Sequence, residues 1–187
     1  MDIEQPAGYI RQAHYCLSPN PDARPANTVI DLVVIHGISL PPGEFGGPWI
    51  QDLFCNRLDP TAHPYFATIH TLQVSAHILI RRDGTLIQFV PLSRRAWHAG
   101  ASCFQGRSRC NDFSIGIELE GTDQQPYDDR QYPVLAELIR SLQQHYPAMT
   151  PERITGHSDI APGRKTDPGP AFAWPRLWAW LDNGRLT

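Results

Sequence analysis

The chain has 187 residues, of which 41% are hydrophobic and 19% are charged, and its formal net charge is -3 at pH 7. This composition is typical of a folded globular domain and excludes an intrinsically disordered chain. The small net charge gives no reason to expect nucleic acid or an anionic membrane surface as a partner. The first residues contain no apolar run of the signal-peptide type, and about 18 successive apolar residues occur nowhere, so we expect a cytoplasmic protein.

The length predicts one domain over residues 1–187. We expect the protein to act as a monomer. The four cysteines (Cys16, Cys55, Cys103 and Cys110) form no CxxC pair, so zinc-finger spacing is absent. Without a secretory signal, reduced thiols are expected rather than a disulfide framework. A Cys103–Cys110 bridge is the alternative.

Three segments have the patterns of strands. "TVIDLVVIHGI" (28–38) is a β-branched apolar run of strand length, as expected for a strand buried on both faces. Residues 74–92 predict a hairpin whose two apolar segments are joined through Asp83 and Gly84. "FSIGIELEG" (113–121) alternates Ile115, Ile117 and Leu119 with Gly116, Glu118 and Glu120.

Helical patterns occur between and after these strands. A short amphipathic segment follows the Pro/Gly-rich loop 39–48, and a longer helix begins after Asp128 or Asp129 and runs to about Tyr146. Another helix covers 175–181, with Pro175 in its first turn. Strands and helices mixed in this way predict an α/β or α+β domain built around a mixed sheet.

Two of the eight histidines stand at the ends of apolar segments, where functional groups of sheet proteins often lie. His36 ends the first strand, and His157 follows "RIT" and opens the polar segment "GHSDIAPGRKTDPGP" (156–170). Two histidines and one carboxylate match the three protein ligands of a catalytic zinc site. Of the others, His98 in "RRAWHAG" could line a pocket or cap a turn, and the rest are expected to be structural or solvent-exposed.

The sequence leaves the carboxylate of this site open between Asp159 and Asp167. Asp159 in "HSD" imitates part of an iron site of two histidines and a carboxylate, but no histidine follows His157, which disfavours iron. Asp167 is stiffened by the following proline, and in an extended segment it would point the same way as Lys165. A lysine in that position could stabilise an oxyanion, whereas the alternative is a solvated Lys–Asp surface pair.

Glu118 is a candidate general base, since a strand face with two acids is not built for apolar contact. An exposed strand face is the alternative interpretation, and Glu120 is a competitor that spacing does not exclude.

These blocks, among them "VVIHGISLPPGEFGGPWI", "VSAHILIRRDG", "RAWHAG" and "CNDFSIGIELEGTD", resemble the 1,6-anhydro-N-acetylmuramyl-L-alanine amidases over residues of about 14 to 178. The resemblance implies a zinc amidase fold related to peptidoglycan recognition proteins, with one Zn²⁺ per chain. It implies cleavage of the bond between the lactyl group of the muramic sugar and L-alanine in a small muropeptide during peptidoglycan recycling. Through such recycling, the family affects induction of β-lactamase where that pathway exists.

By the family's motif, the zinc ligands fall on His36, His157 and Asp167. The catalytic glutamate falls on Glu118 and the catalytic lysine on Lys165. Trp97 and Arg109 match positions that line the family's substrate groove. The chain departs from the pattern at Gly37, where relatives commonly have a substrate-contacting Asn.

Overall fold

The protein's structure, a computed structural model, describes residues 1–183. Within this range there are ten strands: β1 (Ile3–Glu4), β2 (Tyr9–Ile10), β3 (His14–Tyr15), β4 (Leu32–Ile38), β5 (Ile78–Ile80), β6 (Leu86–Gln88), β7 (Cys103–Phe104), β8 (Arg107–Ser108), β9 (Ser114–Glu120) and β10 (Ile154–Gly156). The same range contains four α-helices: α1 (Trp49–Phe54), α2 (Gln131–His145), α3 (His157–Ile160) and α4 (Trp174–Asn183).

Six strands form one mixed sheet in the order β10-β4-β9-β5-β6-β3. The strands β10, β4, β9 and β5 are parallel, β6 is antiparallel to β5, and β3 is parallel to β6. The pairs β1–β2 and β7–β8 form separate two-stranded sheets. The predicted mixed α/β architecture, a central mixed sheet with flanking helices, is confirmed. Because parallel strands end at the same edge, residues at the ends of β4, β9 and β10 lie close together.

One face of the sheet packs against α2 and α4. The cluster of buried side chains there includes Val33, Ile35, Ile115, Ile117 and Leu119 from the sheet and Leu135, Leu138, Ile139, Leu142 and Leu177 from the helices. Complete burial of one such side chain contributes about 1.5–3 kcal/mol. This apolar face therefore fixes the positions of the strands that carry functional groups on their other face.

The predicted alternation of β9 is confirmed, but neither of its faces is exposed. All seven residues are buried, and Glu118 and Glu120 are only 8% and 2% accessible to solvent. The alternative of an exposed strand face is wrong, because segments outside the sheet cover the face that carries the acids. Two carboxylates are therefore buried on the side opposite the helices.

The predicted hairpin is confirmed as β5 and β6, and Gly84 in its turn has a positive φ of 88°. The first predicted strand begins later than expected, at Leu32. The predicted segments 49–54 and 175–181 are helical, within α1 and α4.

The predicted cap of α2 is wrong, since the N-cap residue is Arg130 rather than Asp128 or Asp129. Oδ1 of Asp128 accepts hydrogen bonds from the backbone N–H and the side-chain Nε of Arg130, at 3.1 and 2.8 Å. The Asp128 carboxylate therefore bonds to the residue two positions later and closes a local turn. It does not cap the first turn of the helix. Pro133 lies in the first turn, where its missing N–H is tolerated.

The N-terminal segment packs on the same apolar face. Ile3 and Ile10 are buried in the cluster, and the Met1 amine donates to Glu137 Oε1 and Ser141 Oγ on α2, at 3.1 and 2.9 Å. Packing therefore begins before residue 14, and residues 184–187 of the predicted domain lie outside the described part of the chain. Among residues 1–183, no helix has the length and apolar character needed to cross a lipid bilayer.

Candidate active site

Three potential metal-ligand atoms converge at the edge of the sheet where β4 and β10 end. His36 Nδ1 lies 2.9 Å from His157 Nδ1 and 3.2 Å from Asp167 Oδ2, and His157 Nδ1 lies 3.0 Å from the same oxygen. Zn–N distances of about 2.0–2.1 Å in a tetrahedral site place two ligand atoms about 3.3 Å apart. The triangle formed by the three atoms therefore has nearly the size of one face of a zinc tetrahedron.

Strand register brings the two histidines together. Gly156, the last residue of β10, pairs with Ile35 of β4, so the residues that follow them, His157 and His36, lie at the same edge. The segment with Asp167 returns to this edge, where its carbonyl oxygen accepts a hydrogen bond from the Ser158 N–H at 2.9 Å. His157 was expected to open a loop, but it begins the single-turn helix α3.

The hydrogen bonds of the imidazoles fit a cation at the centre of this triangle. His157 Nε2 lies 3.2 Å from the carbonyl oxygen of Ala99, which can only accept, so Nε2 carries the hydrogen. In the neutral ring, Nδ1 then directs a lone pair at the Asp167 carboxylate. Two such acceptors at 3.0 Å repel each other unless a cation lies between them. The donor set, two imidazole nitrogens and one carboxylate oxygen, is one that Zn²⁺ accepts.

His98, one of the residues for which the sequence left two roles open, lies behind His36. Its Nδ1 is 2.9 Å from His36 Nε2, and its Nε2 is 3.2 Å from Ser114 Oγ. When His36 Nε2 donates to His98, Nδ1 of His36 is left free for a metal. Gly116 makes this contact possible, because a Cβ at residue 116 would overlap the His98 ring. The glycine in the middle of β9 was the sequence signal for this close approach.

Burial sets the protonation states of these groups. Burial is the largest cause that lowers the pKa of His36 to about 4, and the hydrogen bond to Asp167 opposes it only in part. Burial also holds the pKa of His98 well below its usual range, followed by the charge of His36. At Asp167 burial opposes ionisation, but the interactions with the neighbouring His157 and His36 side chains outweigh it, so its pKa lies well below its usual range. Neutral imidazole and an ionised carboxylate are the forms that bind metal.

Glu118 lies beside this triangle, since it pairs with His36 in the register of β4 and β9. Its Oε2 is buried and has no hydrogen-bond partner among the described residues. Burial, and then the negative charge of Asp167, raise the pKa of this carboxyl well above its usual range. A buried carboxyl with a raised pKa and a free oxygen, facing a cavity, is suited to proton transfer.

Glu120, the competing acid, has a full set of partners. Its Oε1 accepts from the Gly46 N–H at 2.7 Å and from Arg81 Nη1 at 3.2 Å, and its Oε2 accepts from the Arg82 N–H at 3.3 Å. These bonds hold the Pro/Gly-rich loop 39–48 against the sheet. The geometry therefore distinguishes two acids that spacing along the strand left open.

Asp159 is also bonded within local structure. Its Oδ2 accepts from the Gly156 N–H at 2.9 Å and from Thr155 Oγ1 at 3.1 Å, at the N-terminus of α3. Asp159 therefore stabilises the turn that presents His157, whereas Asp167 faces both histidines.

A cavity of about 650 Å³ opens above the three converging side chains. The predicted residues His36, Trp97, Glu118, His157, Lys165 and Asp167 all line it. Its opposite wall is apolar and includes Leu53, Phe54, Tyr65, Ile69 and Leu72. The cavity therefore has a polar reactive side and an apolar side against which a substrate can pack.

Arg109 is the predicted site residue that does not line this cavity. Its side chain is 71% exposed and forms an ion pair with Asp112 at 3.3 Å, so a substrate contact by Arg109 stays a prediction. Sequence reasoning missed Arg164, which lines the cavity while its Nη2 donates to the carbonyls of Ala99 and Ala101, at 2.6 and 2.7 Å. Its position next to Lys165 was the available signal.

Comparisons with known proteins agree with this geometry. The model of the N-acetylmuramoyl-L-alanine amidase family matches residues 26–170. The 1,6-anhydro-N-acetylmuramyl-L-alanine amidase AmpD of Escherichia coli (strain K12) is 59% identical over 177 residues, 95% of each chain. A crystal structure of a selenomethionine AmpD derivative superimposes with a TM-score of 0.93 at 56% identity, covering 97% of this chain and 99% of that one.

A more distant solved relative contains a bound ligand. The amidase AmiD from E. coli, in complex with anhydro-N-acetylmuramic acid-L-Ala-D-γ-Glu-L-Lys, superimposes with a TM-score of 0.61 at 32% identity. This match covers 85% of the present chain and 60% of AmiD. The likeness therefore extends to an enzyme of different length that was solved with its muropeptide substrate.

Proposed function

The chain belongs to the N-acetylmuramoyl-L-alanine amidase family, and we propose that His36, His157 and Asp167 hold the zinc ion on which its reaction depends. The enzyme hydrolyses the amide bond between the lactyl group of N-acetylmuramic acid and L-alanine. The observation that carries the zinc proposal is the convergence of two imidazole nitrogens and a carboxylate oxygen on one point. One zinc ion per chain with three protein ligands leaves a fourth position for water or substrate.

The substrate is a small muropeptide with a 1,6-anhydro sugar. The curated relatives are named for this activity, and AmiD was solved with such a ligand. A cavity of about 650 Å³ with an apolar wall is within the size range of sites for small molecules. We place the reaction in the cytoplasm, in the recycling of peptidoglycan fragments, where it would influence β-lactamase induction in cells that have that pathway.

Glu118 is the general base and then the general acid. Zinc at such a site supplies Lewis-acid polarisation of a carbonyl and lowers the pKa of water to about 7. Glu118 Oε2 takes the proton of the attacking water and transfers it to the leaving amine of L-alanine. Its free oxygen and raised pKa support both transfers, because proton transfer is most effective when the pKa lies near the working pH.

Lys165 and Trp97 assist from the walls of the cavity. Lys165 lines the cavity, and its ammonium group would stabilise the negative oxygen that forms on the attacked carbonyl. Trp97 offers an aromatic surface to the sugar or the peptide, and it is held by a hydrogen bond from its Nε1 to Asp22 Oδ2 at 3.1 Å. In this proposal Glu118 and Lys165 take part in the reaction, whereas Trp97 packs against the substrate.

Zinc content and product identity together test the proposal. We expect about one zinc ion per chain by elemental analysis. Mass spectrometry should find the anhydro sugar and a peptide beginning with L-alanine as the two products. Removal of zinc with dipicolinate should abolish turnover, and added zinc should restore it. Undiminished turnover by zinc-free protein would contradict the metal proposal while leaving the amidase activity intact.

The substrate class has its own test. Soluble anhydro-muropeptide and purified intact sacculi are offered to the same enzyme, and release of peptide is followed by chromatography. We expect rapid release from the soluble compound and little from sacculi. The reverse order would show an enzyme of the intact wall.

A further inference from the structure

Two cysteines that are far apart in sequence meet on the surface beside the cavity. The Sγ atoms of Cys16 and Cys55 lie 3.3 Å apart, and both residues are half-buried. Neither residue lines the cavity, and neither takes part in the amidase chemistry. We propose that Cys16 and Cys55 form a reversible redox site, a dithiol under reducing conditions that oxidises to a disulfide. This proposal does not depend on the zinc site.

The backbone holds the two thiols at this distance. The N–H of Cys16 donates to the Gln88 carbonyl of β6, and the N–H of Cys55 donates to the Gln51 carbonyl of α1, both at 3.0 Å. The backbone of each cysteine is therefore fixed to an ordered element, Cys16 to β6 of the central sheet and Cys55 to the end of α1.

Hydrogen bonds of neighbouring side chains also join the segments 16–20 and 54–56, which carry the two cysteines. Ser18 Oγ donates to the Phe54 carbonyl at 2.6 Å. The amides of Asn20 and Asn56 donate to each other at 2.9 and 2.8 Å. The approach of the thiols is therefore part of a wider contact between the segments 16–20 and 54–56, and closing an S–S bond requires only a small movement.

The electrostatic surroundings distinguish the two sulfurs. Burial, followed by the hydrogen bond to Cys16, raises the pKa of Cys55 to about 12. Nη2 of Arg57 lies 3.8 Å from the sulfur of Cys16. A thiolate is the attacking form in disulfide exchange, so we assign the first attack to Cys16, with Cys55 as the resolving thiol.

A small-molecule disulfide such as oxidised glutathione is the oxidant. The Cys16 thiolate attacks one sulfur of RSSR, forms Cys16–S–S–R and releases RS⁻. Cys55 then loses its proton to solvent and attacks the Cys16 sulfur, which forms the Cys16–Cys55 bond and releases a second RS⁻. The protein loses two electrons and two protons, and the oxidant is reduced to two thiols.

The bridge would act on one wall of the active-site cavity. Leu53 and Phe54, which precede Cys55 at the end of α1, line that wall. A disulfide would close a loop of about 40 residues and tie this wall to the sheet, which reduces the conformational freedom of the unfolded chain.

The site is tested by incubating the folded, full-length protein with oxidised glutathione. Free thiols should fall from four to two per chain, and non-reducing peptide mapping should find Cys16 linked to Cys55. The melting temperature should rise by roughly 5–10 °C, and dithiothreitol should reverse the change. Cys16→Ser and Cys55→Ser should each remove the bridge and the thermal shift, whereas Cys103→Ser, at an exposed cysteine, should keep both.

Three results would overturn the proposal. The linked peptides could contain Cys103 and Cys110, the two cysteines that are close in sequence. Glutathione could remain attached to Cys16 in the unsubstituted protein, which would show that Cys55 does not resolve the adduct. The bridge could also form only after unfolding in guanidinium, which would show that the native arrangement does not favour it.

Discussion

On one face of the central sheet, buried aliphatic side chains fill space against α2 and α4, whereas on the other face buried polar groups such as Glu120 and His36 are held by specific partners. Ile117 and Leu119 contact the helices, while Glu118 and Glu120 on the same strand face the cavity and the loop 39–48. The first face tolerates rearrangement, since apolar contacts are not directional. The second face depends on direction, because each donor needs one acceptor. Substitutions on the apolar face should therefore change the stability of the fold, and substitutions on the polar face should change turnover or metal binding.

Asp167→Ala should have the largest effect. It removes the one carboxylate of the converging triangle, so bound zinc and nearly all amidase activity should be lost. Elemental analysis of the purified variant, with turnover of an anhydro-muropeptide, measures both. Asp159→Ala is the matched control and should keep stoichiometric zinc, because Asp159 bonds only to the turn before His157. Zinc retained in Asp167→Ala and lost in Asp159→Ala would reverse the assignment.

Glu118→Gln should separate catalysis from metal binding. Its Oε2 has no partner among the described residues, so the amide should fit without disrupting a network. Loss of a general base typically reduces kcat by about 10²–10⁴-fold. Zinc content should be unchanged. Glu120→Gln, on the same face of β9, should keep kcat within a few fold, and equal losses in both variants would disprove the assignment of the base.

His98→Gln should weaken the metal site without replacing a proposed ligand. The imidazole of His98 positions His36 through its outer nitrogen. Loss of such a contact typically lowers metal affinity by about 10–100-fold. Competition for zinc with a chromophoric chelator measures this directly, and excess zinc should restore much of the activity. Unchanged zinc affinity would limit His98 to a packing role.

Leu138→Ala should have the smallest effect on chemistry, since Leu138 is fully buried on the apolar face. Truncation of a buried leucine costs about 2–5 kcal/mol of unfolding free energy. The melting temperature should fall by several degrees, while kcat of the folded protein and its zinc content stay unchanged. A large loss of kcat at a temperature where the variant is folded would show that the two faces are coupled.

The apolar face could be predicted well from the sequence. The alternation of β9 and the stripe of α2 follow from periodicity alone, and both elements lie within a few residues of their predicted bounds. The cap of α2 could not be predicted, because Asp128 is able to bond either to the helix or to Arg130, and only the local turn decides between them. The short strands β1, β2, β7 and β8 have two residues each, too few for a periodic pattern.

The polar face could be predicted only in part. Residue types and a family resemblance pointed to His36, His157 and Asp167, but distance along the chain gave no information about which groups meet. The difference between Glu118 and Glu120 depends on Gly46 and Arg81, which come from a distant loop and a neighbouring strand end. Such a partner is specified by tertiary structure, so spacing along one strand could not reveal it.

Gly116 has no side chain that could bind a metal or a substrate, yet a Cβ at this position would disturb the active site. A methyl group at this position would overlap the ring of His98, which in turn contacts His36. In a genetic screen for inactive enzyme, alanine at this codon should therefore be found beside changes in the ligands themselves. The absence of a side chain at residue 116, which makes room for the His98 ring, is thus as strictly specified as any functional group in the cavity.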